Sequence, residues 1–296
     1  MYDFIAKLDA RQPIIPKNPI LKRQPNIYIE GASGMGLANN LWGLALAVYY
    51  KEVYNLNIVL RNTDSILYGT SNKFGRKTYK TENGNILSYK DSFFKKMTFC
   101  NEIYEDVDVL VNNFTKNRPV PRKSILIRGY CANINLFHEI HSKMPKYLHL
   151  NDPNTINYVR NKYKNLSNGI MIGIRRGPDG GFKKFNKDAY KNALDKLVSM
   201  KVDISNLFIL TDVPGAWETI IGLQSEYPAT EINEDDYTQF IAGMMCKHYI
   251  ISESSYHWWV AYMGIVNNSD KKVLYFNNSD LTTRELTMNN WIGVDW

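Results

Sequence analysis

The stretch Gly169 to Gly180, GIMIGIRRGPDG, constrains the fold more than any other in the chain. Ile170, Met171, Ile172 and Ile174 form an apolar run too short for a helical period, so the segment reads as a strand buried on both faces of a parallel sheet. That strand delivers Arg175 and Arg176 at its C-terminal end, the edge of an open α/β sheet at which ligands bind. Neighbouring strand residues face opposite ways, so one arginine is expected to face a crevice.

Arginine at a strand end is ordinarily a solvated residue or the partner of a local carboxylate. What favours an anion here is the setting: a buried strand, paired arginines, and then Gly-Pro-Asp-Gly-Gly, a turn that brings backbone close to its ligand. A guanidinium fork suits phosphate better than an ammonium does, so a nucleoside diphosphate is the sharp expectation.

The 296 residues leave room for two domains. A formal charge of +7, with its lysines scattered, fits a small anionic ligand as well as it fits nucleic acid. The basic residues form no stripe interleaved with aromatics, so no nucleic-acid partner is expected. Cys100, Cys131 and Cys246 have no CxxC spacing, which suggests neither a disulfide framework nor a zinc site and points to a reducing, cytoplasmic compartment. No run of about eighteen apolar residues occurs, so membrane contact is expected to be peripheral at most.

Strands are expected at Asn26–Glu30, Asn57–Arg61, Val107–Val111 and Ser124–Arg128, with helices at Leu37–Tyr54, at Ser92–Tyr104 and within Ile134–Tyr163, broken at Pro145 and Pro153. The scheme then repeats. Strands are expected at Gly169–Ile174, Leu207–Leu210, His248–Ser252 and Lys272–Phe276, and helices at Lys187–Met200, Pro214–Ser225, Asp235–Cys246 and Ser255–Met263. This is an α/β protein whose two domains, 1–165 and 166–296, face each other across a cleft.

Other pieces converge on that cleft. The loop Gly31–Gly36 matches neither GxGxxG nor a Walker sequence, so it is a βα turn or a phosphate cradle. Asn39 and Asn40 follow it in a first helical turn, where they either cap the helix or read hydroxyls across the cleft. Asp212 ends a buried strand and is either a nucleoside contact or an ion-pair partner. Ser254 and Ser255 open a helix whose free N–H groups suit an anion, and the plainer reading is N-capping by Ser254. Trp258 and Trp259 are expected to bury against the sheet, and His257 is either a base or a structural residue.

Three blocks, GMGLANNLW, IGIRRGPD and CKHYIISESSYHWWVAYM, resemble the bacterial α1,2-fucosyltransferases within the wider fucosyltransferase superfamily. The similarity spans about 230 residues in order and is dense only in those blocks. It implies a GT-B fold of two Rossmann-like domains and an inverting, metal-independent transfer from GDP-fucose to a glycan hydroxyl. By that resemblance Arg175, with Arg176, Ser254, Ser255 and Tyr256, holds the donor, and Arg175 assists departure of the diphosphate. Asp212 sits near the nucleoside, and Asn39, Asn40 and Glu30 line the acceptor side. Asp179 is taken as the general base, with Glu30 as second candidate.

The sequence departs from the family pattern at Gly173, where the family carries histidine, at Pro178, which displaces Asp179 by one position, and at Ala38 and Asn40. A UDP-sugar transferase and a non-catalytic glycan- or nucleotide-binding protein are therefore retained as alternatives. A metal-dependent transferase would use a DxD, and Asp106-Val107-Asp108 supplies one that arises equally well by chance. His138 and His141 do not form HExxH, and no metal is expected there.

Overall fold

The computed structural model describes residues 24–31, 36–68, 88–111, 120–129, 131–132, 139–140, 142–176, 185–266, 268, 270–279 and 286–296. Its strands form two sheets, both parallel throughout. The first contains β1 (Asn26–Glu30), β2 (Asn57–Arg61), β3 (Thr98–Cys100), β4 (Val107–Val111) and β5 (Ser124–Arg128), in the order β3-β2-β1-β5-β4. The second contains β6 (Ile170–Ile174), β7 (Leu207–Thr211), β8 (Ala229–Glu231), β9 (His248–Ile251), β10 (Val273–Phe276) and β11 (Ile292–Val294), in the order β11-β10-β9-β6-β7-β8. In the second sheet the winding runs outward from β6 to β8 and restarts beside β6 at β9; in the first it runs outward from β1 to β3, crosses to the far edge at β4 and returns to β5 beside β1. The switch points are β1/β5 and β6/β9.

The longer helices begin where an acceptor side chain is available. Asp152 accepts from Thr155 N at the start of α3 (Pro153–Lys162), Asn186 from Ala189 N at α4 (Lys187–Ser199), and Asp235 from Thr238 N at α5 (Asp236–Met245). Two helices differ. α1 (Leu37–Tyr54) and α6 (Ser255–Ile265) are preceded by Gly36 and Ser254, and neither residue makes a side-chain cap bond. Between them in sequence, α2 (Asp64–Tyr68) is a single short turn.

Both α1 and α6 are buried nearly all round, the pattern of helices enclosed by other elements rather than half exposed. They pack on each other, with the Trp42 ring 4.6 Å from that of Trp258 and 5.1 Å from that of Trp259. The tryptophans expected against the sheet therefore bury against α1. One hydrophobic core runs from the first sheet through α1 and α6 to α5 and the near face of the second sheet. A separate core lies on the far face of the second sheet, where Ile170, Ile172 and Ile174 meet Tyr190, Leu194 and Leu197 of α4.

Three expectations are corrected. The helix expected over Ser92–Tyr104 is a turn followed by β3, because Phe93 is anchored edge-on against Tyr237 and Phe240 of α5 and the segment Thr98–Cys100 pairs with β2. The helix expected over Pro214–Ser225 is one wide turn, Trp217–Ile221, bracketed by Gly215 and Gly222 at φ of 72° and 71°. Within 142–163 the helical residues are the 3-10 turn Met144–Tyr147 and α3, and α3 packs on α5 of the second half. Among the described residues no helix is long and apolar enough to cross a membrane.

Candidate active site

Arg175 and Ser254 lie just past β6 and β9, the two strands flanking the switch point of the second sheet. Open α/β sheets bind ligands in the crevice outside such a point. The paired arginines separate as strand alternation requires. Arg175 forms an ion pair with Asp212, Nη1 to Oδ2 at 2.8 Å, with both side chains about one-sixth exposed (15% and 17%). Arg176 is buried, and its Nη2 donates to the Phe185 carbonyl at 2.9 Å, so this guanidinium braces the start of α4. Its backbone N–H donates to Asp212 Oδ1 at 3.0 Å, so a single carboxylate orients both arginine positions. The expectation that both guanidiniums face one crevice is corrected for Arg176, whose guanidinium turns to Phe185.

At the end of β9, the Ser252 hydroxyl lies 2.9 Å from His257 Nδ1. The ring also hydrogen-bonds the Leu210 backbone and is 4% exposed. Burial first, and then the positive charge of Arg175, push the His257 pKa down to about 3. With both ring nitrogens engaged and no solvent access, His257 is a structural residue rather than a base.

The helix termini meet beside this pair. Ser255 donates through Oγ to Asn39 Oδ1 at 2.9 Å, tying the first turn of α6 to the first turn of α1. Since α1 follows β1 and α6 follows β9, the C-terminal edges of the two sheets come together at one junction. Ser254 is buried in extended backbone (φ −141°, ψ 122°) and its hydroxyl caps no helical N–H. Tyr256 is directed to α5, donating to the Asp236 carbonyl at 2.5 Å with its ring on Phe240.

On the facing edge, Asn40 is buried and donates to the Ser65 carbonyl at 2.7 Å, so it fixes α2 and does not line the crevice. A Cβ at Gly31 would overlap both Asn40 and Ser65, which explains a glycine where the chain leaves β1. Glu30 accepts from Arg61 Nη1 at 2.6 Å and lies 3.3 Å from Arg128 Nη2. Arg61 and Arg128 end β2 and β5, and sequence reasoning missed both because their partner lies on a different strand. Asp179, His138 and His141 lie outside the described residues.

The aspartates of the DxD sit at the opposite, N-terminal edge of the first sheet, where Asp106 and Asp108 pair with Lys123 at 2.7 and 3.2 Å. Their position, remote from both switch points, removes the reason to read them as a donor metal site. Among the described residues no group of three or more His, Cys, Asp or Glu is placed to hold a metal ion.

No protein-family model matches the sequence, and no curated protein matches it by sequence. Solved structures do match in shape. POFUT1 in complex with GDP-fucose superposes with a TM-score of 0.53 at 8% identity, over 86% of this chain and 98% of that one. POFUT1 in complex with GDP gives 0.52 at 9% identity, over 85% and 98%. The fucosyltransferase NodZ from Bradyrhizobium gives 0.48 at 12% identity, over 82% and 94%. The fold is that of the GT-B fucosyltransferases. At this identity the likeness concerns architecture alone, and the chemistry rests on the side chains described above.

Proposed function

We propose that this chain is a GT-B glycosyltransferase that moves a sugar, most simply L-fucose from GDP-fucose, onto a glycan hydroxyl with inversion and without a metal. The observation that carries the reading is that the Arg175–Asp212 pair and the N-terminus of α6, which Ser254 does not cap, follow the strands on either side of the β6/β9 switch point. A guanidinium and a helix N-terminus are the two protein groups best suited to a diphosphate. The likeness to POFUT1, which is solved with GDP-fucose, supports GDP-fucose as the first donor to test.

In this mechanism the acceptor oxygen attacks the anomeric carbon on the face opposite the diphosphate while the bond from that carbon to the phosphate oxygen breaks. Negative charge grows on the departing β-phosphate. Arg175, held rigid by Asp212, and the N-terminal end of the α6 dipole neutralise it without reorganising. The acceptor proton passes to a carboxylate. Asp179 keeps that assignment, because the Glu30 carboxylate is committed to Arg61 and Arg128.

Asn39 is the acceptor-side residue nearest the donor helix, and Glu30 with its two arginines forms the outer wall. We place the domain boundary near residue 165, with the donor in 166–296 and the acceptor side in 1–165. The test is a panel of GDP- and UDP-sugars with neutral glycan acceptors, read by release of nucleoside diphosphate. Release from GDP-fucose alone is expected. Release from a UDP-sugar instead would reassign the donor, and binding without release would make the chain a non-catalytic binding protein.

A further inference from the structure

Gly173 stands inside β6, a strand otherwise made of Ile and Met, and pairs with Leu210 of β7 in the interior of the six-stranded sheet. Glycine there forfeits packing and marks a close approach. What approaches is the imidazole of His257: a Cβ on Gly173 would lie 2.5 Å from its Cγ and would overlap Nδ1. The same ring reaches Ser252, just beyond β9, and the Leu210 backbone on β7. One buried side chain thus touches the ends of three adjacent strands, β9, β6 and β7.

The spacing beyond those contacts is regular. Arg175 follows Gly173 by two residues, Asp212 follows Leu210 by two, and Ser254 follows Ser252 by two. In β6 and β7 a two-residue step returns to the same face, so the ring lies directly behind the Arg175–Asp212 pair.

We propose that His257 is a positioning residue of the donor pocket: it is wedged onto Gly173 and sets the relative placement of the strand ends carrying Arg175, Asp212 and Ser254. Gly173 is glycine to admit it. This deepens the donor reading above and rests on it. The ring carries no proton in the reaction; it acts through Arg175 and Ser254, whose misplacement by about 1 Å costs on the order of a hundredfold in favourable cases.

The test uses GDP as probe, titrated calorimetrically into the full chain and into Gly173→Ala, His257→Ala, His257→Gln and the Gly173→Ala/His257→Ala double variant, each checked for cooperative melting. Each alanine single variant is expected to weaken GDP by roughly tenfold or more. The double variant is expected to bind better than Gly173→Ala, since removing the ring removes the overlap. His257→Gln, which keeps a group able to bond Ser252, is expected to fall between wild type and His257→Ala. In turnover, KM for the donor rises and KM for the acceptor stays unchanged.

Variants that melt earlier yet bind GDP as tightly as wild type would reduce His257 to a core residue and overturn the proposal. Should Gly173→Ala fail to fold, His257→Gln and the double variant carry the same comparison. Failure of the wild-type chain to bind any nucleoside diphosphate is a separate result, and it removes the donor reading together with this inference.

Discussion

Asn39 and Ser255 are hydrogen-bonded across 2.9 Å, although 216 residues separate them and they open helices that follow strands of different sheets. This contact, with the tryptophans behind it, sets the two switch points against each other. Two consequences follow for stability, one local and one global.

Ser255→Ala removes the tie without leaving a buried charge. Its cost is expected to be about 0.5–1.5 kcal/mol, the net worth of an ordinary hydrogen bond. Urea denaturation should register that loss, and a larger fall in donor turnover than in stability would show that the tie also aligns the crevice.

Trp42→Ala acts on the whole molecule. Trp42 is fully buried between Trp258 and Trp259, so truncation opens a cavity where the two halves share one core. A loss of about 3–5 kcal/mol is expected. Probes placed in each half should continue to report a single transition in the wild-type chain, and separate transitions would show that the shared core does not couple the halves.

Acid should destabilise the fold through two histidines. Burial, then the charge of Lys247, pushes His248 down to about 4, and burial with the charge of Arg175 pushes His257 to about 3. The unfolded chain titrates these groups near pH 6.5, so it binds more protons than the folded chain below that pH. The stability they confer is complete above about pH 6.5 and is lost as pH falls toward 4 and then 3. His248 Nδ1 accepts the Lys272 N–H at 3.0 Å, an acceptor role that protonation abolishes. The melting temperature should therefore decline below about pH 6.5, and His248→Gln should flatten that decline. An unchanged slope in the variant would exclude His248 as a contributor.

Much of this arrangement was legible in the residue order. Buried strands such as β6 and β9 announce themselves as apolar runs, and Asp152, Asn186 and Asp235 mark helix starts by local chemistry. Strand alternation says that one of the paired arginines faces a crevice, and the family resemblance singles out Arg175. What stayed hidden is non-local. Nothing near Gly173 says that His257 fills its space, and nothing near Glu30 names Arg61 or Arg128 as its partners. Asn40 and Arg176 looked like crevice residues because spacing cannot tell a side chain facing a ligand from one bonded to a backbone carbonyl, as both are here. The turn after Tyr89 failed as a helix for a similar reason, since Phe93 answers to α5 rather than to its neighbours.

The central claim is that Arg175 holds a nucleoside diphosphate, and calorimetric titration of GDP into the wild-type chain and into Arg175→Ala tests it most directly. The account predicts binding by the wild type and a loss of roughly 10- to 150-fold in the variant, the equivalent of about 1.5–3 kcal/mol for a charge-assisted contact, with both proteins melting cooperatively. Equal GDP affinity in two folded proteins would contradict it.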